Sequence, residues 1–280
     1  MKISKLIKTG LFTAMTSAFI LSTSAFADEP NADIKAIQDR GVLKVGVKND
    51  VMGFSLQDPL SGEYTGLEDD LAKMIADKLG VEVEFTAVTA ATRTELIDSG
   101  DLDVVLATFT ITPERVEHWD FTNPYYTDYV SVLVEDTSEI KHLTDLLGKV
   151  VGVSSGSNSA KSLINAMVAT QVIEGKNFDP ATFDPATWNE GVKFHQYDDY
   201  PAISTALKAG EVSAFCVDKS ILSIYKTKGR SFIEEEFAPQ EYGAVTKKGS
   251  GFSEYVNNLI TEWLEDGTIE ELKAKYNLSN

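Results

Sequence analysis

Short apolar runs alternate with amphipathic stretches along most of this chain, and that alternation leaves few folds open. Residues 43–47 form a strand-length run after Gly41. Leu67, Leu71, Met74, Ile75 and Leu79 then recur at helical spacing, with Gly80 placed to end the helix. Residues 81–88 predict a half-buried strand, 92–99 a short helix stopped by Gly100, and 102–107 a buried strand. A βαβαβ run of this kind predicts a parallel sheet with helices on both faces. It also predicts ligand contacts at the carboxyl ends of the strands.

A further strand is expected at 130–134, after which 135–139 turns polar. A second α/β unit follows: helix 143–147, strand 150–153, helix 160–173, strand 192–196, helix 200–209 and strand 214–217. Asp218 stands directly at the end of that last strand. A strand at 242–246 and helices at 252–264 and 269–276 close the pattern. Between 174 and 191 the sequence Phe-Asp-Pro-Ala-Thr occurs twice in tandem, at 178–182 and 183–187. Its prolines and Asx-type starts predict a turn-rich surface excursion with no part in the core.

The densest chemistry lies at 107–126, ATFTITPERVEHWDFTNPYY. Thr112 suits a helix N-cap, Pro113 the first helical position, and Glu114 the positive helix end. Open backbone N–H groups, the hydroxyls of Thr108 and Thr110, and the Arg115 guanidinium would then gather at the end of the 102–107 strand. A planar fork beside a helix start is a receptor for a carboxylate. Taken alone, the motif equally describes a capped helix whose arginine pairs with a nearby acid. Residues 154–159, SSGSNS, precede another helix and form a second anion-receptive corner or a plain loop.

Residues 1–27 have the marks of an export signal. Lys2, Lys5 and Lys8 precede an apolar stretch at 11–21, and Ala25-Phe26-Ala27 fits a cleavage site. Position 28 is Asp, which leaves no cysteine for lipid attachment at the cut. The expected product is a free protein of the periplasm. Without the three lysines, 22 basic residues face 43 acidic ones, a net charge of −21. Such a surface argues against nucleic acid and anionic membrane as partners. The one cysteine, Cys216, allows no internal disulfide, and His118, His142 and His195 have no metal-like spacing.

Six segments appear in a telling order: VGVKNDVMGF (45–54), FTITPER (109–115), DFTNPYY (120–126), GVSSGSNS (152–159), CVDKS (216–220) and EYGAVTKKG (241–249). Together they resemble the polar amino-acid-binding proteins of ABC importers, which have the type II periplasmic substrate-binding fold. The likeness is greatest to the aspartate/glutamate-binding members. The resemblance implies an α/β protein of two lobes joined by two crossing hinge strands, near 125–129 and 238–242. Residues 28–126 and 243–280 would form one lobe and 127–242 the other. It further implies a monomer, without cofactor or metal, that delivers an amino acid to an inner-membrane permease.

In that likeness Arg115 clamps the ligand α-carboxylate, helped by Thr110 and by backbone around Ser157 and Asn158. Asp218 accepts from the α-ammonium with Thr108 beside it, and Tyr242 touches ligand or packs in the hinge. Lys48 and Arg93 add two cations, which suits a second carboxylate and so glutamate or aspartate. Where glutamine- and basic-amino-acid-binding relatives carry aromatic rings, this chain has Val51 and Ala90. Alternatives are a solvated Lys48 and an Arg93 paired on the surface with Glu95 or Asp98. At the level of function they are a binding protein for cystine or another polar amino acid, a dehydratase like the cyclohexadienyl dehydratases that resemble this fold, and a sensory module.

Overall fold

The computed structural model describes residues 31–278, so the predicted export signal lies outside the described residues. In chain order the elements begin α1 (Ala32–Arg40), β1 (Val42–Val47), β2 (Asp50–Val51), β3 (Ser55–Gln57), β4 (Tyr64–Thr65), α2 (Leu67–Leu79) and β5 (Glu82–Ala87). They continue α3 (Thr92–Ser99), β6 (Val104–Leu106), α4 (Pro113–His118), β7 (Trp119–Phe121), β8 (Tyr126–Glu135), β9 (Val150–Ser154) and α5 (Ser159–Ala169). The rest are β10 (Lys193–Tyr197), α6 (Tyr200–Ala209), β11 (Ala214–Asp218), α7 (Lys219–Leu222), β12 (Arg230–Phe232), β13 (Phe237–Tyr242), β14 (Val245–Lys247), α8 (Gly251–Glu265) and α9 (Thr268–Lys275).

The strands build two main sheets, one per lobe. The first has the order β5-β1-β6-β14-β7 and the second β10-β9-β11-β8-β12, with β13 paired to β8. Strands β5, β1 and β6 run parallel, as the alternation of strand and helix predicts. Outside that run, β14 pairs antiparallel with β6 and with β7 at the far side of the sheet. The reason is the path of the chain: β8 and β13 lie side by side, antiparallel, with Tyr126 opposite Tyr242. The chain leaves the first sheet along β8 and returns along β13. The returning strand therefore enters the first sheet against the direction of β6. The strand expected at 242–246 is two strands, broken at Gly243, where an added Cβ would lie 3.1 Å from the Thr122 carbonyl.

Helix α2 shows why the first sheet holds together. Its Leu67, Leu71, Ile75 and Leu79 are buried, and Gly80 ends it in the left-handed conformation (φ 72°). Before it, Gly66 passes so close to the Phe54 carbonyl that a Cβ would sit 2.0 Å away, so only glycine fits there. One apolar cluster runs from Val45 and Leu71 through Tyr126 and Tyr242 to Phe215 and Ile203, continuous across both lobes. Among the described residues no helix is long and apolar enough to cross a membrane.

The tandem excursion is more than a surface loop. Asp179 and Asp184 make matching Asx turns to the N–H groups of Ala181 and Ala186, at 3.0 and 2.9 Å. Phe178, Phe183 and Trp188 stack edge-on or tilted at 5.5–5.8 Å, and Phe183 reaches Phe194 of β10. The repeat of sequence is thus a repeat of turns, stapled to the second lobe by its aromatic rings.

Candidate functional site

Lys48 directly follows β1 and is 3% exposed, so the alternative of a solvated strand-end lysine is not realised. Its Nζ lies 4.7 Å from the centroid of the Tyr200 ring, at the start of α6 in the second lobe. Burial lowers its pKa to about 8, against the pull of Asp50, and Arg93 lowers it further.

Arg93 sits in the first turn of α3, which opens with a reciprocal pair. The Thr89 N–H donates to Thr92 Oγ1 at 3.0 Å, and the Thr92 N–H to Thr89 Oγ1 at 3.2 Å. The arginine is buried, and its guanidinium lies 3.7 Å from the Phe109 ring centroid. Nη1 donates to the carbonyls of Ala107 (2.7 Å) and Thr108 (3.3 Å), while Nε has no partner among the described residues. Asp98, one acid offered as its surface partner, instead accepts from Trp119 Nε1. Burial pushes the pKa of Arg93 down, and Tyr200, Glu68 and Asp218 oppose that shift.

Helix α4 forms as the Thr-Pro-Glu-Arg motif predicts: Pro113 opens it, and the Thr112 side chain caps the Arg115 N–H at 3.3 Å. Arg115 Nη1 donates to the Thr110 carbonyl (2.9 Å) and Nη2 to the Gly156 carbonyl in the other lobe (3.3 Å). Its guanidinium lies 4.8 Å from the same Phe109 ring. Burial, then the neighbouring charge of Arg93, brings its pKa down to about 9. Among the described residues, Lys48, Arg93 and Arg115 form no salt bridge.

Thr108 has φ +44°, a left-handed conformation that costs a β-branched residue about 1–3 kcal/mol. Its N–H donates to Glu68 Oε1 at 2.6 Å, and its hydroxyl is buried without a partner among the described residues. The Thr110 hydroxyl donates to Gln240 Oε1 on β13, which also accepts from Asn158 Nδ2, each at 2.9 Å. Ser157 turns its hydroxyl back to the Ser154 carbonyl. Asp218, at the end of β11, accepts from the Tyr242 hydroxyl on Oδ2, while Oδ1 is buried and unpartnered among the described residues. Burial and the nearby Asp128 hold its carboxyl well above the usual range.

Lys48, Arg93, Arg115, the buried acids Asp218 and Glu68, and the Thr108 hydroxyl, unpartnered among the described residues, therefore meet where the lobes face each other. Thr110 and Asn158 join through Gln240, Tyr242 holds Asp218, and Ser157 serves its own loop. Glu68, Phe109, Tyr200 and Gln240 belong to this arrangement and sequence reasoning missed them. Glu68 had no distinguishing signal, since an acid in a first helical turn normally marks a solvated end. The lobes also meet where Lys161 pairs with Glu114 at 2.8 Å, and at Gly156, where a Cβ would lie 2.7 Å from the Ala90 carbonyl.

The buried acids give the ligand-free protein an unusual pH dependence. Burial raises Glu68 and Asp69 to about 7, so the folded chain retains protons that the unfolded chain loses near pH 4 to 5. Where the folded state binds more protons, stability grows as pH falls. Lys48, lowered to about 8, acts oppositely and adds stability as pH rises beyond 8. The ligand-free melting temperature is therefore expected to be higher at pH 5 than at pH 7.5. A thermal scan that showed it flat or falling would contradict these assignments.

The fold is that of a two-lobed periplasmic binding protein, with its charged groups gathered between the lobes. The chain belongs to the bacterial extracellular solute-binding proteins, family 3, whose model matches residues 43–279. It is similar to an ABC transporter glutamine-binding protein, GlnH, of Bacillus subtilis (strain 168), at 31% identity over 87% of this chain and 84% of that one. It is also similar to the L-cystine-binding protein TcyJ of Escherichia coli (strain K12), at 30% identity over 99% and 97%. Among solved structures, an ancestral arginine-binding protein bound to glutamine matches with TM-score 0.71 and 31% identity, covering 86% of this chain and 99% of that one.

Proposed function

We propose that this protein captures an acidic amino acid, glutamate or aspartate, between its lobes and delivers it to the permease of an ABC importer. The relatives are named for glutamine, cystine, glutamate, aspartate and arginine, ligands of different charge, so the ligand is argued from this chain's own residues. The carrying observation is the trio Lys48, Arg93 and Arg115. Lys48 and Arg93 are buried and Arg115 is half-buried, burial lowers the pKa of each, and none forms a salt bridge among the described residues, the nearby acids Asp50, Glu68 and Asp218 offsetting that burial only in part. Two ligand carboxylates would pair charges that are costly to leave alone. Arg115 with Thr110 and the loop of Ser157 and Asn158 takes the α-carboxylate. Asp218, set by Tyr242, takes the ammonium with Thr108, and Lys48 and Arg93 take the side-chain carboxylate.

Arg115 belongs to the first lobe and Asp218 to the second. A zwitterion is fully paired only when both close on it, which gives the ligand a differential affinity for the closed form. The lobes in this reading are 31–126 with 243–278, and 127–242, hinged where β8 and β13 run together. The protein works as a monomer in the periplasm, and binds without converting its ligand. A cystine ligand, with two amino-acid heads, would need a second ammonium acceptor, and Asp50 beside Lys48 is the acid placed for it.

A thermal-shift panel of the common amino acids, cystine and prephenate tests this reading. The largest stabilisation is expected from glutamate or aspartate, with prephenate unconverted and compaction on binding seen by small-angle scattering. Stabilisation by glutamine or cystine alone would refute the acidic ligand. In the Arg93→Ala variant, glutamate should lose roughly tenfold more affinity than glutamine, the scale of a lost charged hydrogen bond. Equal losses would mean that Arg93 supports backbone only.

A further inference from the structure

We propose that Glu68 is a positioning residue, whose carboxylate holds Thr108 in the left-handed conformation that turns its hydroxyl into the site. The proposal rests on the reading above, in that Thr108 is taken to face the ligand. Its argument begins with the backbone. A threonine at φ +44° is where a glycine would ordinarily stand, and such a residue persists only when its surroundings over-determine it. Two groups do so here. Glu68 Oε1 accepts the Thr108 N–H at 2.6 Å, and Arg93 Nη1 takes the carbonyls of Ala107 and Thr108 from the other side.

Glu68 is itself fully buried, an expense that packing alone does not require on a helix whose other buried residues, apart from Asp69, are leucine, isoleucine and alanine. Its Oε2 has no partner among the described residues. Its Oε1 has a second donor, the Tyr125 hydroxyl at 2.6 Å, one residue before β8 begins. The carboxylate is therefore anchored to the strand that crosses between the lobes while it grips the segment carrying Thr108. Burial raises its pKa to about 7, and the bonds from Tyr125 and Thr108 and the charges of Lys48 and Arg93 pull it back toward the charged form.

The test is a double-mutant cycle on the full protein, with L-glutamate and L-glutamine as probes and isothermal titration as the measure. Glu68→Ala should weaken binding of the better probe by about thirtyfold, and Glu68→Gln, which keeps the accepting oxygen, by no more than about fivefold. In a Thr108→Ala background, Glu68→Ala should add no more than about threefold, because the hydroxyl it aims is gone. Equal loss in both backgrounds would overturn the proposal. A ligand-free readout accompanies it: the Thr108 amide proton should move upfield and exchange faster in Glu68→Ala. An unmoved amide would also overturn it. If Glu68→Ala fails to fold, the amide and the affinity are compared in Glu68→Gln and Tyr125→Phe. Both should keep Thr108 in place, and loss of its protected amide in Glu68→Gln would refute the role. Wild-type protein that bound neither probe would sink the functional reading, and the amide would still decide the role of Glu68.

Discussion

Replacing Arg115 with alanine is expected to weaken ligand binding by roughly two to three orders of magnitude, because removing one partner of a buried charge pair costs about 3–5 kcal/mol. The Thr112 cap fixes its backbone N–H, and the Thr110 carbonyl and the face of Phe109 hold its side chain. Little rotamer freedom is left to lose when a carboxylate arrives, so the fork contributes nearly its whole pairing energy to binding. Arg115→Lys should not restore affinity, since an ammonium on a flexible stem cannot make two parallel bonds. The unliganded variant should melt within a few degrees of wild type, because the guanidinium is half-buried without a salt bridge and its pKa is depressed. Titration calorimetry on the two variants decides the matter. Near-wild-type affinity in Arg115→Ala would remove this residue from the site.

That this residue could be chosen from sequence, while others could not, has a physical reason. Helix α2 declared itself by 3.6-residue periodicity, and α2, α3 and α6 each end at a glycine in the left-handed conformation, Gly80, Gly100 and Gly210. Helix α1 did not, having only Ile37 buried, and β2, β3 and β4 are too short for alternation to register. Strand β8 was read only over its apolar end, since within Tyr126 to Tyr129 one of the two buried positions is the polar Asp128 while the exposed one is Tyr129. Pro239 hid β13, where the register shifts around it. Within the site, Arg115 and Asp218 lie at strand and helix ends that local sequence marks. Glu68 and Gln240 act through contacts to chain 40 and 130 residues away, and no local pattern records such a contact.

Asp218→Asn should lose affinity for any zwitterionic amino acid by about two orders of magnitude and yet make the ligand-free protein more stable at pH 8, by about 1–3 kcal/mol. The Tyr242 hydroxyl donates to Asp218 and lies 3.3 Å from Asp128, which also accepts the N–H and hydroxyl of Ser220. One phenolic proton cannot serve both carboxylates, and burial raises both pKa values, so the pair retains a proton above the usual carboxylate range. A carboxyl raised on folding favours the folded state at low pH, and that contribution is lost as pH rises through its folded pKa. The gain from asparagine should therefore be present at pH 8 and absent at pH 5, where the proton already neutralises the site. A ligand ammonium at Oδ1 would expel that proton, so wild-type binding should release it to buffer. Calorimetry in buffers of different ionisation enthalpy reads the release, and Asp218→Asn should abolish it. A stability gain equal at both pH values would show that Asp218 is not the group holding the proton. Retained proton release in the variant would show the same.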